Sequence, residues 1–521
     1  MTMRPTFVLL SLICGSLLAT AQRKKNEPDT SSYLSQPNRI EFLYEKSNNE
    51  FHLVNGYDDG LLVVKETYNR LEQGYGWEIY KLDTSLQIVW SSLLIVPYGH
   101  TFQGWDYSSH EYFLLFSSAQ YKPDEYEIVR INAKNSLQER LSISTVFPIE
   151  LSHFEVIDKT ILMAGTTNFK PTVLTFSLEE KKPRVIPGIY NTNSEILEIH
   201  MDDDNGVFSV AMIERMINKR LTVNVKSFTA DNLMVQNNTI NPGDRKSLID
   251  GAPTDFSSGF QYISGAYSNK SSLYSRGLYL AKFVNGRQQF INYYNFADLT
   301  NFFGFLNDKR FKRVRERISK RKEKGKKNRY NYRLLIHEIV QQGNEFILIG
   351  EAYYPRYSNY QTYSAYNPIS IRNVYSYANI IGYKYTHAIV VSFDQNGNIL
   401  WDHSFAIDDV FRTNLVETVT VNVHSDRIEL LYLEKNHIRS KIVQGHDVLE
   451  GKSYTPIRLG SEKESFTIKD PEVEGLDIWY DNVLYAYGEQ EIQHDTGGKI
   501  SIRRNIFYIN KIQYNPNGYP D

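Results

Sequence analysis

The 521-residue sequence predicts an all-β protein built as a ring of repeated sheets, and three observations carry that prediction. Eight short apolar and β-branched runs look alike, at residues 60–64, 112–116, 160–164, 207–211, 260–264, 346–350, 428–432 and 483–487. In the first five, the central residues Val63, Leu114, Met163, Val210 and Ile263 are 51, 49, 47 and 53 positions apart. Each run leads into a further strand and a hairpin, as in 77–90, 128–143, 173–186, 221–235, 280–291, 388–401 and 438–454. Four short antiparallel strands per unit, repeated about eight times, make a single β-propeller, with seven blades as the alternative count. A parallel β-helix is the competing repeat architecture, but its repeats are shorter and lack alternating hairpins.

The elements follow in chain order. Arg4 supplies a positive start, residues 7–18 form an apolar stretch of 12, and Ala19-Thr20-Ala21 offers a small-x-small cleavage pattern. Twelve apolar residues are too few to span a bilayer, so residues 1–21 are expected to be a secretory signal peptide. The single Cys, Cys14, lies inside this stretch, and Ile13 before it does not suit a lipoprotein signal. An exported mature chain would thus be free of Cys, which favours a bacterial envelope or extracellular protein over a eukaryotic secreted one. The expected address is the periplasm or the outside of the outer membrane, and not an integral membrane position. Polar residues 22–36 are expected to form a flexible lead-in, and the propeller to occupy 37–521. The last unit runs out of sequence before its outer strand. Residues 39–44, Arg-Ile-Glu-Phe-Leu-Tyr, are expected to supply it and so to remove a sheet edge.

Two hairpins share more than their pattern. Leu82-Asp83 precedes Trp90 with the same spacing by which Phe393-Asp394 precedes Trp401. This signature resembles the outer strands of quinoprotein-like propellers. The resemblance implies the fold, and by analogy the non-catalytic envelope scaffolds that share it. It implies no quinone chemistry, because that family's vicinal Cys pair is absent.

Two insertions break the period. The first, at about 298–329, holds 13 basic and 2 acidic residues between Lys309 and Arg329. The whole chain carries a formal charge of −2, so positive charge is concentrated in one segment rather than spread. Phe303, Leu306, Phe311, Val314 and Ile318 fall at helical spacing, which predicts a basic amphipathic helix over 302–324, with Gly325 as its stop. Lys309, Arg310, Lys312, Arg313, Arg315, Arg317, Lys320, Arg321, Lys322 and Lys324 would then form a surface for an anionic membrane, lipid headgroups or another anionic partner. The same pattern fits a helix that packs on the propeller and keeps its charges in water. Export disfavours nucleic acid.

The second insertion, 353–385, is rich in Tyr. Tyr353, Tyr354, Tyr357, Tyr360, Tyr363 and Tyr366 suit recognition of an envelope protein or glycan, because Tyr joins a rigid face to a polar tip. A loop folded back over the propeller is the plainer alternative.

His52, His153, His200 and His337 share a register 10 or 11 positions before a second-strand centre, on the strands expected to line the channel. Converging imidazoles hold metals, yet inner-strand His is more often hydrogen-bonded structure, so no metal and no cofactor is predicted. The acidic turns 58–60 and 202–206 lack calcium-loop spacing. No HExxH, GxSxG, Walker A or GxGxxG pattern is present, which weighs against an enzyme. The functional expectation is an exported, non-catalytic binding or scaffolding module of the cell envelope. The alternative is a glycan-active hydrolase or lyase with carboxylates at the channel mouth.

Overall fold

A computed structural model describes residues 30–45, 49–118, 124–145, 147–243, 245–256, 259–269, 273–357, 380–467, 471, 473–495, 501–515 and 517–518. The expected signal peptide lies outside the described residues. Eight antiparallel sheets follow one another along the chain. Blades 1 to 8 occupy residues 51–97, 101–144, 150–185, 194–239, 247–295, 333–406, 420–456 and 474–514. The all-β, eight-bladed propeller is thus the architecture of the chain. Among the described residues no helix is long and apolar enough to cross a membrane.

The repeated runs form the second strand of each blade. Leu61, Leu62, Val63 and Val64 are all fully buried, as are Leu114, Leu115, Leu430 and Ile347. Both faces of these strands are covered by neighbouring blades, so the runs are apolar throughout instead of alternating. The cores are accordingly interblade. Leu62 and Val64 pack with Tyr112, Leu114 and Phe116, and Phe113 and Leu115 pack with Ile161 and Met163.

The signature hairpins turn alike. Asp83 Oδ1 accepts from the Ser85 and Gln87 amides at 2.8 Å each, and Asp394 Oδ1 from those of Asn396 and Asn398 at 2.9 and 2.7 Å. These local bonds set the turn before each Trp. Trp90 then donates to the Ala133 carbonyl of blade 2 at 3.1 Å, whereas Trp401 donates to Glu345 of its own blade at 3.3 Å.

The two chain ends share blade 8. Strand Arg39–Leu43 pairs antiparallel with the last strand, Ser501–Tyr514, in the register Arg39↔Asn510 to Leu43↔Ile506. Phe42 packs with Leu53 and Val63 of blade 1 and with Trp479 and Ile509 of blade 8. Arg39 bonds Glu41, Asn510 and Gln490 at 2.7, 2.8 and 2.9 Å. Residues 30–36 are more ordered than a flexible lead-in. Leu34–Ser35 also pairs with the last strand, and the Ser31 hydroxyl donates to Glu450 at 3.0 Å.

The first insertion joins blades 5 and 6, and its helix α1 spans Asp308–Glu323. It starts later than expected because the Asn307 side chain accepts from the Arg310 amide and caps it. Phe302 and Phe303, buried before the helix, anchor the segment instead of lying on its stripe. Gly325 does end it, at φ 63°, with amides 325 and 326 bonded back to the carbonyls of Lys322 and Arg321. The second insertion lies inside blade 6. Its strands Glu345–Tyr357 and Ile380–Phe393 form one long hairpin, so Tyr353, Tyr354 and Tyr357 are strand residues rather than loop.

Deleting residues 30–45 removes the outer strand of blade 8 together with Phe42, whose burial alone is worth about 3 kcal/mol. The expected result is a fall in melting temperature of roughly 10 °C or more, read by circular dichroism. An unchanged melt would overturn closure by the chain ends.

Candidate functional site

The inner strands surround a central cavity of about 970 Å³. Glu198, Asp250, Glu338, Glu417, Glu474 and Asp477 line it, with Arg412 and His337 as its basic groups. Asp106 and Glu155 stand on the inner strands of blades 2 and 3, and Glu155 feels the charges of both Asp106 and Glu338. Burial, reinforced by Asp106, Glu338 and Asp203, pushes Glu155 up to about 8. Burial and Glu338 likewise push Glu198 up to about 8, and burial pushes Asp106 up to about 7. A carboxyl that keeps its proton near neutrality beside ionised neighbours can donate a proton or bind a cation.

A sequence signal for this wall exists. Asp106, Glu155, Asp202, Asp255 and Asp477 each stand eight positions before a second-strand centre, namely Leu114, Met163, Val210, Ile263 and Tyr485. Several of these acids work as clasps between blades. Asp106 accepts from the Val156 amide of blade 3 at 2.5 Å, and Asp202 from the Phe256 amide of blade 5 at 2.8 Å.

The four register His residues do lie on or beside inner strands, but they do not converge. His52 bonds Glu66 at 2.6 Å and packs on Phe102 and Trp105. His153 meets Ser152 at 2.8 Å, and burial lowers its pKa. His337 holds the fully buried Glu351 at 2.9 Å, and that carboxylate also accepts from the amides of Thr418 and Val419 at 2.8 Å each. Burial opposes the charge on His337, yet the bond to Glu351 holds its proton above the usual range. His200 bonds Asp255 at 2.8 Å, and two carboxylates from different parts of the ring stand near its other face.

A second feature, on another part of the molecule, is basic. A cavity of about 1060 Å³ is lined by Lys322, Lys326, Lys327 and Arg329 from the first insertion and by Arg220, Arg245, Lys246 and Arg276 from the propeller. Asp298 is its acid, and it pairs with Lys322 at 2.9 Å. Lys246 Nζ lies 4.0 Å from the ring centre of Tyr267 and 4.7 Å from that of Tyr293. Burial, then the charge of Lys327, lowers its pKa. Arg276 Nη1 is buried here with no hydrogen-bond partner among the described residues.

Of the predicted helix cations, Lys322 faces this pocket, while Arg313, Arg317, Lys320, Arg321 and Lys324 line a shallower one. Arg315 turns inward to the Leu299 carbonyl at 3.3 Å, and Arg310 borders a cavity that also holds Asp408 and Asp409. Arg220, Arg245, Lys246 and Arg276 were not predicted, since they come from blades 4 and 5 and no local charge run marks them. Tyr354 and Tyr357 are exposed on the long hairpin, and Tyr353 is half-buried. Tyr360, Tyr363 and Tyr366 lie outside the described residues.

No protein-family model matches the chain, and no curated protein matches it in sequence. Similar solved structures include the β-propeller domain of the Trilobed protease from Pyrococcus furiosus, at 10% identity and TM-score 0.36, over 78% of this chain and 95% of that one. The polysaccharide lyase Uly1 aligns at 10% identity and TM-score 0.39 over 92% of this chain and 100% of its own. A eukaryotic initiation factor aligns at 10% identity and TM-score 0.40, over 92% and 93%. Likeness at this level says nothing about activity. The class of protein is fixed by the eight sheets, a β-propeller.

The raised carboxyls give stability a defined pH dependence. Glu155 binds its proton more tightly in the folded protein than in the unfolded chain, so this contribution is complete at acid pH. It is lost as pH rises from about 4.5 to about 8. The melting temperature is expected to fall across that range, and Glu155→Gln, neutral throughout, should flatten the slope. A slope unchanged by Glu155→Gln would show that this carboxyl ionises normally.

Proposed function

We propose that the protein is an exported, non-catalytic binding module of the cell envelope, and that its basic pocket holds an anionic partner. The phosphate-bearing headgroups of an anionic membrane surface suit it best. One observation carries this reading: eight cations from four stretches of the chain surround a single cavity with one acid among them. Like charges gathered this way repel one another, Lys246 is desolvated beside Lys327, and among the described residues Arg276 Nη1 has no hydrogen-bond partner. A phosphate group relieves both, because Arg offers it paired donors and Lys a compact charge. The expected signal peptide and the Cys-free mature chain support export. The exposed Tyr354 and Tyr357 support a second, aromatic contact with an envelope protein or glycan.

Cations near an anionic surface contribute on the order of 1 kcal/mol each before screening. Replacing Arg245, Lys327 and Arg329 by Gln is therefore expected to weaken co-sedimentation with anionic vesicles by roughly tenfold or more, and to reduce its salt dependence. Lys309→Gln with Lys312→Gln, outside the pocket, should do much less. Equal losses in both variants would mean that bulk charge, not this pocket, is responsible.

A glycan-active enzyme is the second reading, favoured by Glu155 and Glu198, which burial and the charge of Glu338 push up to about 8. Cleavage of a glycosidic bond needs one carboxyl as acid and another as base or nucleophile. Incubation with envelope polysaccharides should then release reducing ends or unsaturated products, and Glu155→Gln should abolish the release. No product from the wild-type protein would dismiss this reading.

A further inference from the structure

Glu198, His200 and Glu338 bring three ligand atoms within 4.8 Å of one another at the edge of the central cavity. Glu198 and His200 are two apart on the inner strand Ser194–Asp202 of blade 4, so they leave the strand on the same face. Glu338 comes from the segment between the two inner-strand pieces of blade 6, Arg333–Ile336 and Val340–Gln342. The cluster is thus assembled by the closed ring and not by any local motif.

The His200 side chain is only 8% exposed. Its Nε2 is held by Asp255 at 2.8 Å, which turns Nδ1 towards Glu338, 3.6 Å away. Among the described residues Nδ1 has no hydrogen-bond partner, and neither does the buried Oε1 of Glu198. Buried polar atoms are nearly always satisfied, so the orphaned Glu198 Oε1, beside an imidazole nitrogen whose nearest carboxylate stands beyond hydrogen-bond reach, points to a missing partner between them. An outer carboxylate that fixes the tautomer and orientation of a His is the arrangement by which proteins prepare an imidazole to ligate a metal.

We propose that Glu198 and Glu338, each through one carboxylate oxygen, and His200, through Nδ1, bind one divalent transition-series cation, Zn²⁺ or Mn²⁺, with Asp255 as the outer support. Metal–ligand bonds of about 2.0–2.2 Å place ligand atoms roughly 3–3.5 Å apart, a closure that small side-chain rotations achieve from the present spacing. Binding displaces the protons that Glu198 and His200 otherwise keep; the two carboxylates then balance the charge of the ion, and the imidazole selects against Ca²⁺ and Mg²⁺, which prefer all-oxygen shells. Bound there, the cation ties blade 4 to blade 6 across blade 5. This site is separate from the basic pocket, and its existence does not depend on the anion-binding reading.

The full-length mature protein, stripped with a chelator and dialysed, tests this by titration calorimetry and thermal melting with Zn²⁺ and with Mn²⁺. Expected are one ion per chain and a higher melting temperature with at least one of the two. Glu338→Gln, at a side chain 61% exposed, should weaken binding at least tenfold, and Asp255→Asn should weaken it less. Glu66→Gln, in the separate cluster of Glu50, His52 and Glu66, should leave it unchanged. The proposal is overturned by absence of stoichiometric binding, by Glu338→Gln binding as well as wild type, or by loss of binding in Glu66→Gln. Preference for Ca²⁺ or Mg²⁺ over both ions also overturns it, because His200 would then not be a ligand.

Discussion

A five-residue strand near the start of the chain, bonded to its final strand, is the constraint on which the rest of the ring depends. Every other blade completes itself from contiguous sequence, and only blade 8 borrows. With Arg39–Leu43 in place the final strand is covered, and Phe42 sits between blades 8 and 1. The walls of the central cavity come from blades 4 to 8. Arg39 reinforces the seam by reaching Asn510 and Gln490 on two neighbouring strands, steered by Glu41 of its own strand.

Charge in this protein is sorted by position. The inner wall is acidic, and its carboxyls are raised by burial and by one another. The cations of the first insertion meet Arg220, Arg245, Lys246 and Arg276 in a different cavity. A near-neutral formal total of −2 conceals both. Part of the acidic wall is structural, since Asp106 and Asp202 clasp the backbone of another blade. The helix is likewise partly internal: Ile318 is buried, Arg315 reaches a backbone carbonyl, and Lys322 pairs with Asp298. Its remaining cations are what an external anion would meet.

The architecture was legible because a propeller blade is a local object. Its strands are consecutive, so the runs at 60–64 and its counterparts, their period and turns such as Asp394–Asn398 all appear in the linear sequence. The closing strand was legible by subtraction, as the last unit lacked an outer strand. The helix was legible as a segment but not in its start, because Asn307 caps it after Phe302 and Phe303 have anchored the chain.

What the sequence by itself determined is therefore the repeat, the seam and the two insertions, all governed by interactions between residues close along the chain or at its ends, while the choice of eight blades over seven came from the sheets themselves. Only the tertiary structure decided which polar residues meet. His52, His153, His200 and His337 share a register, yet eightfold geometry holds equivalent positions apart around a ring, so each took a different partner instead of a common one. Glu198 and Glu338 are 140 positions apart and converge because blades 4 and 6 face the same cavity. Arg245 and Arg329 likewise join one pocket because segments of different blades pack together, and such contacts leave no spacing in the sequence.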